Sequence, residues 1–315
     1  MPASARESEP PYYRPYRWAA AEFQLGLRPF SPDRWISMEA DYAHNMREKR
    51  ELLAAYPDRY YRTLPSSLPA QRELLERVVA HLVADHAGRF ARAGSTLCSL
   101  DTGARFDLDA RGIEPLLLLS HIIEEDVMLI EQVEGHAIIS AASNVYSSSG
   151  RLVASVGRAI DWAHVPVPGL SALLGKRIDR VVGSVHADTP GERFNWQLTP
   201  MASIFFPRDN PHAANAAAMH AIIDELRAHP ERAGDLLWIR VERQTLSRLP
   251  GSGAVAFSLH TYSDPLASIQ RDAASLRAML ALLRAYSPER LHYSEMDIIR
   301  EPVMLWLEAA AQRAH

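Results

Sequence analysis

The stretch from Asp235 to Pro265, DLLWIRVERQTLSRLPGSGAVAFSLHTYSDP, constrains this chain more than any other. Two β-type runs, Leu236 to Leu246 and Ala254 to Tyr262, flank a connector, Ser247 to Gly253, that carries Pro250, Gly251 and Gly253. That order reads as a hairpin with a longer loop. Side chains alternate along a strand, so Ile239, Val241, Arg243 and Thr245 share one face while Trp238, Arg240, Glu242 and Gln244 share the other. A half-buried strand puts charge on one face only, yet here both faces carry an arginine. Either Arg243 lies beyond the point where the strand leaves the core and is solvated, or one arginine meets a partner inside the protein or an anionic ligand, because a buried charge has to be paired.

With 315 residues, 47% of them hydrophobic, the chain can bury a sizeable core. A net charge of −4, from 34 basic and 38 acidic residues, gives no electrostatic case for nucleic acid or an anionic membrane. No apolar run approaches the ~18 residues of a membrane span. The first residues, MPASARESEPPYYRPYRW, lack the apolar region of a secretory signal. With one cysteine, Cys98, the chain has no internal disulfide, and a reducing cytoplasm is the expected compartment. The same count excludes a four-cysteine iron–sulfur cluster and a CxxC zinc site, so any such redox centre belongs to a partner.

Taken in order, residues 1 to about 17 read as an extended arm lying on the surface or on another subunit. Ser31 and Pro32 read as the start of a helix running through SPDRWISMEADYAHNMREKRELLAAY. A second helix is expected from Pro69 to Ala87, where Leu74, Leu75, Val78, Val79 and Leu82 recur at helical spacing. The segment Ala93 to Asp109 alternates weakly, and PLLLLSHIIEEDVMLIEQ fits an apolar helix or a strand after a short helix. A tight turn at Glu134-Gly135 leads into a strand, Ala137 to Ala142, and a further strand is expected around Arg193 to Trp196. Helices are expected over Leu170 to Val182, over PHAANAAAMHAIIDELRAHPERAG, over Pro265 to Tyr286, and from Pro288 to Ala314. Strands in the middle with helices before, between and after them make an α+β fold around an antiparallel sheet. No linker is visible, so residues 1–25 read as an arm and 26–315 as a single domain with helical extensions at both ends.

Several motifs fail on context. Gly251 to Ala256 matches GxGxxA but precedes a strand, so it is a hairpin turn rather than a dinucleotide site. There is no P-loop, HExxH or GxSxG. His220 with Asp224, His81 with His86, and the acidic cluster Glu124-Glu125-Asp126 following His121 read as solvated helix positions. His164 differs. It stands between Trp162 and Val165-Pro166-Val167-Pro168-Gly169, where the prolines stiffen the backbone as an axial metal ligand requires, though a packed histidine beside a turn has the same pattern.

DWAHVPVPG, RFNW at Arg193 to Trp196, and IRVERQTLSRLPGSGAVAFSLHTYSDPL resemble, in that order, the haem-dependent oxidative N-demethylase family, the haem-binding α subunit of dimethylamine monooxygenase. GLRPF at Gly26 to Phe30, with Trp35 and Tyr42, and EEDV at Glu124 to Val127 are similar to that family too. The resemblance implies a PAS-like antiparallel sheet binding haem b, and oxidation of a small secondary amine by O₂. It also implies electrons from a separate reductase subunit bearing flavin and an iron–sulfur centre. By this similarity His164 is the proximal iron ligand, and Arg193, Asn195, Trp196 and Arg240 line the cofactor. Arg193 or Arg240 would face the propionates, with Arg243, Glu242 and Tyr262 as catalytic residues. One stretch departs from the family pattern: SSSGRLVASVG stands where a PS-x-W segment and a Lys-x-Gly precede the histidine motif. A haem gas or redox sensor on the same fold, and an interaction subunit that has lost its haem, are the alternatives. A homo-oligomer is compatible with all three.

Overall fold

The computed structural model of the chain describes residues 12–20, 26–146, 151–160, 162, 180–187, 189–200 and 213–314. The fold is α+β. Its strands are β1 (Arg28–Pro29), β2 (Tyr61–Thr63), β3 (Phe90–Ala93), β4 (Thr96–Ser99), β5 (Arg105–Asp107), β6 (Asp126–Val133), β7 (His136–Ser143), β8 (Gly191–Thr199), β9 (Trp238–Arg248) and β10 (Val255–Pro265). Seven of them form a sheet in the order β1-β8-β9-β10-β6-β7-β2, and β3-β4-β5 form a small meander. The principal helices are α1 (Tyr42–Ala55), α2 (Leu68–Asp85), α3 (Pro115–Ser120), α4 (Ala213–Ala228), α5 (Ala273–Ala285) and α6 (Arg300–Arg313). None of the described helices is long and apolar enough to cross a membrane.

Contacts along the chain divide it into two compact units. The terminal unit takes Met1–Gly26, Phe194–Arg243 and Thr261–His315; the central unit takes Leu27–Arg193 and Gln244–His260. Three of the boundaries fall inside β8, β9 and β10, where no proline- or glycine-rich linker could mark them.

In the central unit the apolar stripe of α2 (Leu74, Leu75, Val78, Val79, Leu82) packs with Leu116 and Leu119 of α3 and with Val127 and Leu129 of β6. The run from Pro115 resolves as a short helix followed by a strand. β6 and β7 are joined at Glu134 and Gly135, whose φ values of 50° and 84° give the left-handed pair that a two-residue hairpin with native twist requires. The helix expected from Ser31 is interrupted. Only a 3₁₀ turn forms at Pro32–Arg34, and α1 begins at Tyr42. The reason is long-range: the N–H of Ile36 donates to His81 Nε2 at 3.3 Å and that of Ser37 to Glu125 Oε1 at 2.7 Å, so distant side chains take donors a helix would have used. His81, expected on the surface, is therefore a buried acceptor.

The core of the terminal unit gathers Trp196, Leu198, Ile239, Val241 and Tyr262 from the strands with Leu276, Met279 and Leu283 of α5 and Val303, Trp306 and Leu307 of α6. Within the described residues of the N-terminal arm, a 3₁₀ turn, Pro15–Arg17, places the buried Tyr16 in this core. Arg14 pairs with Asp272 at 2.8 Å, and Asp272 caps α5 by accepting from the N–H of Ser275. That cap explains why the helix expected over 265–286 breaks into a 3₁₀ turn, Leu266–Ile269, and α5. Gly234 lies against Trp306, where a Cβ would stand 2.7 Å from the indole ring.

Candidate functional site

Two hydrogen bonds fix the faces of the β9–β10 hairpin. Arg240 Nη2 donates to Thr261 Oγ1 at 3.3 Å, and the hydroxyls of Thr245 and Ser258 meet at 2.6 Å. Alternation then puts Arg240, Glu242 and Thr261 on one face and Val241, Arg243, Thr245, Ser258 and Tyr262 on the other. Arg240 and Arg243 are each 1% exposed, so the solvated reading of Arg243 is overturned. Ile239 and Val241 belong to the helix-packed core of the terminal unit, which gives Arg243 the core face and leaves Arg240 on the opposite one.

Within the terminal unit the Glu242 carboxylate lies 3.7 Å from Arg240 Nη2 and is 13% exposed, so a buried cation stands beside an acid that reaches solvent. Asn195 is half-buried and alternates with Phe194 and Trp196 along β8. Trp196 is taken up by the core, edge-on to Tyr16 at 5.5 Å and tilted against Tyr286 at 6.5 Å. The Tyr262 ring stacks on Tyr12 at 5.1 Å and meets Tyr13 edge-on at 5.0 Å. Arg240, Glu242 and Thr261 thus come together, while Arg243, Tyr262 and Trp196 face the core. His164 lies outside the described residues.

In the central unit β6 is apolar on both faces over residues 127–130, and β10 is apolar on the face of Val255, Phe257 and Leu259 while its other face carries Ala256, Ser258 and His260. Val127, Leu129 and Ala256 pack on the helices, whereas Met128, Ile130, Val255 and Leu259 are equally buried but belong to neither helix-packed core. The register pairs Ile130 with Val255 and Met128 with the half-buried Phe257. A haem, the cofactor implied by the sequence resemblance, is a flat apolar macrocycle bearing carboxylates. Such an apolar strand face suits its body, and the half-buried Arg193 at the end of the same unit suits a carboxylate. The residues present fit the group.

The same unit buries a second set of charges. Lys49, on the stripe of α1 that also presents Tyr42, Met46 and Leu53, donates to the carbonyls of Ile123, Glu124 and Glu125 at 3.1, 3.0 and 2.7 Å. Asp126 lies 3.9 Å away and accepts from Asn144 Nδ2 and from the N–H groups of Val145 and Tyr146. Glu125 Oε1 lies 3.2 Å from His260 Nδ1, and Glu124 accepts from Asn45 Nδ2. The acidic cluster is therefore not a solvated helix end: all three carboxylates are buried. Burial pushes Glu124 upward and Lys49 downward from their ordinary values. For Glu125 burial also pushes up, but the hydrogen bond and charge of His260 outweigh it and hold it below the usual carboxylate range. His260 moves the opposite way, burial being outweighed by Glu125. The legible signal was Lys49 itself, a charge placed on an apolar helical stripe.

Among the described residues no group of three or more His, Cys, Asp and Glu is arranged to hold a metal ion. His260 is engaged by Glu125, and His136 and His186 are exposed. The model of the family described as "Haem-dependent oxidative N-demethylase, alpha subunit-like" matches residues 26–304, and the chain belongs to that family.

Proposed function

We propose that this chain is the haem-binding subunit of an oxidative N-demethylase that acts on a small secondary amine such as dimethylamine, on a PAS-like sheet. The observation that carries the reading is the Arg240–Glu242 pair, a buried guanidinium and a solvent-reaching carboxylate on the strand face turned away from the helical core. Haem b, when bound, supplies the reduction of O₂ and the oxidation of the N-methyl group. His164 would hold its iron, and Arg193 or Arg240 would hold the propionates, with Asn195 as a further residue toward the cofactor. Glu242 binds the substrate ammonium, since a carboxylate with access to solvent is a strong acceptor for a cationic N–H. Its second task is to take the ammonium proton and present the neutral amine. Arg240, 3.7 Å away, balances the charge of the Glu242 carboxylate. Arg243, Tyr262 and Trp196 act through packing, by holding β8, β9 and β10 in register.

The balance of the reaction is one amine, O₂, two electrons and two protons giving the primary amine, formaldehyde and water. A chain with Cys98 as its one cysteine holds no four-cysteine cluster. The electrons would come from a separate subunit, for which the sequence resemblance implies a reductase bearing flavin and an iron–sulfur centre. The test is direct: haem reconstitution should give a Soret band, and with a supplied reductant dimethylamine should stimulate O₂ consumption and formaldehyde release. Absence of the band would sink the haem reading, and O₂ binding without formaldehyde would replace the enzyme with a sensor.

A further inference from the structure

The buried cluster of the central unit does not balance in charge if every group takes its ordinary state. Glu124, Glu125 and Asp126 bring three carboxylates against two cations, Lys49 and His260. All five are buried, and a net charge shut away from water is costly. One additional proton makes the set neutral, and the hydrogen bonds select its place.

Asp126 accepts three N–H bonds at 2.7–2.8 Å, from Asn144, Val145 and Tyr146, which fixes it as an anion. Glu125 accepts from Ser37 N–H at 2.7 Å and faces His260 at 3.2 Å, which suits a carboxylate beside an imidazolium. Lys49 spends its three donors on three carbonyls and so is held as an ammonium. Glu124 accepts once, at Oε1 from Asn45 at 2.7 Å, and its Oε2 is buried with no hydrogen-bond partner. Glu125 Oε2 is also buried without a partner, but Glu125 has a backbone N–H and the His260 ring on its other oxygen, whereas Glu124 has one neutral amide, so a negative charge on Glu124 is the less compensated of the two.

We propose that Glu124 is held as a neutral, buried carboxylic acid at neutral pH beside the Glu125–His260 carboxylate–imidazolium pair, so that the cluster as a whole carries no net charge. The groups facing Glu124 are Asn45 and Lys49 of α1, Glu39 before that helix, Glu125 and Asp126 of its own turn, His260 of β10, and the phenols of Tyr42 and Tyr146. Burial moves Glu124 in the direction this requires. The proposal stands on the cluster alone.

The test is infrared spectroscopy of the full chain and of Glu124→Gln at neutral pH. The wild type should show the carbonyl stretch of a buried carboxylic acid, and Glu124→Gln should lose it. A wild type without that band, or a band that survives the substitution, overturns the proposal. The amide is close in shape to a neutral acid and still offers Oε1 to Asn45, so the variant should fold. A second measurement is its unfolding free energy against pH. A carboxyl whose folded pKa is raised above its ordinary 4.5 contributes most below that value and loses the contribution as pH climbs through the folded pKa. Glu124→Gln should therefore gain on the wild type as pH rises over that window; a difference that does not change with pH contradicts the assignment.

Discussion

Lys49 in the central unit and Arg240 in the terminal unit are both cations shut away from water, yet their surroundings differ. Lys49 is enclosed by three carbonyls of one turn, with Asp126 at 3.9 Å, and the carboxylates around it are themselves buried. Arg240 meets a neutral hydroxyl at 3.3 Å and, at 3.7 Å, a carboxylate that reaches solvent. The first arrangement ties the start of β6 to α1. The second pairs a buried guanidinium with a carboxylate that keeps 13% of its surface in water. A buried charge is thus read by what surrounds it: a closed ring of backbone acceptors marks structure, and a partly exposed acid beside a guanidinium is the arrangement on which the proposed function rests.

The comparison breaks most readily at Lys49. Lys49→Met strands three carbonyls and leaves Asp126 without its nearest cation, at an expected cost of about 3–5 kcal/mol in chemical denaturation. Arg240→Met should cost clearly less in the same measurement, because the shape is kept and Glu242 can turn to solvent. Equal losses would erase the distinction between the two clusters. Gly234→Ala serves as a packing control in the terminal unit: its Cβ meets the Trp306 ring at 2.7 Å, and overpacking of this kind costs about 1–3 kcal/mol. The smallest effect is expected at Glu73, which accepts the N–H groups of Gly251 and Ser252 at 2.7 Å each. Glu73→Gln should lose about 1 kcal/mol. Burial raises the Glu73 carboxyl, but these bonds outweigh it and hold the group below 4.5. Its contribution is therefore present above that value and fades as pH falls through the folded pKa, where wild type and variant should converge.

Much of the fold was legible in residue pattern. Glycine and proline at 250–253 located the β9–β10 loop, Glu134-Gly135 located the β6–β7 turn, and the leucine and valine stripe located α2. The misses share a cause, which is that long-range partners outvoted local signals. Ser31-Pro32 is a sound helix start, but His81 and Glu125 capture the N–H groups that follow. Glu124-Glu125-Asp126 resembles a solvated helix end until Lys49, some seventy residues earlier, is placed beneath it. Alternation predicted that Arg240 and Arg243 point apart, but only the packing of Ile239 and Val241 shows which face is closed by helices. The division into two units was invisible because its boundaries run through strands. Of the site, Arg240 and Glu242 fall together as a polar pair, Tyr262 and Trp196 fall into aromatic packing, and His164 lies outside the described residues.

The central claim is that Glu242 binds and deprotonates the amine. The decisive measurement is formaldehyde release from dimethylamine by the haem-loaded Glu242→Gln variant, with its Soret band recorded on the same sample. The account predicts an unchanged Soret band and a loss of amine-dependent formaldehyde of about two orders of magnitude or more, in line with removal of a group that acts in proton transfer. Wild-type formaldehyde release by a variant with full haem content would contradict it.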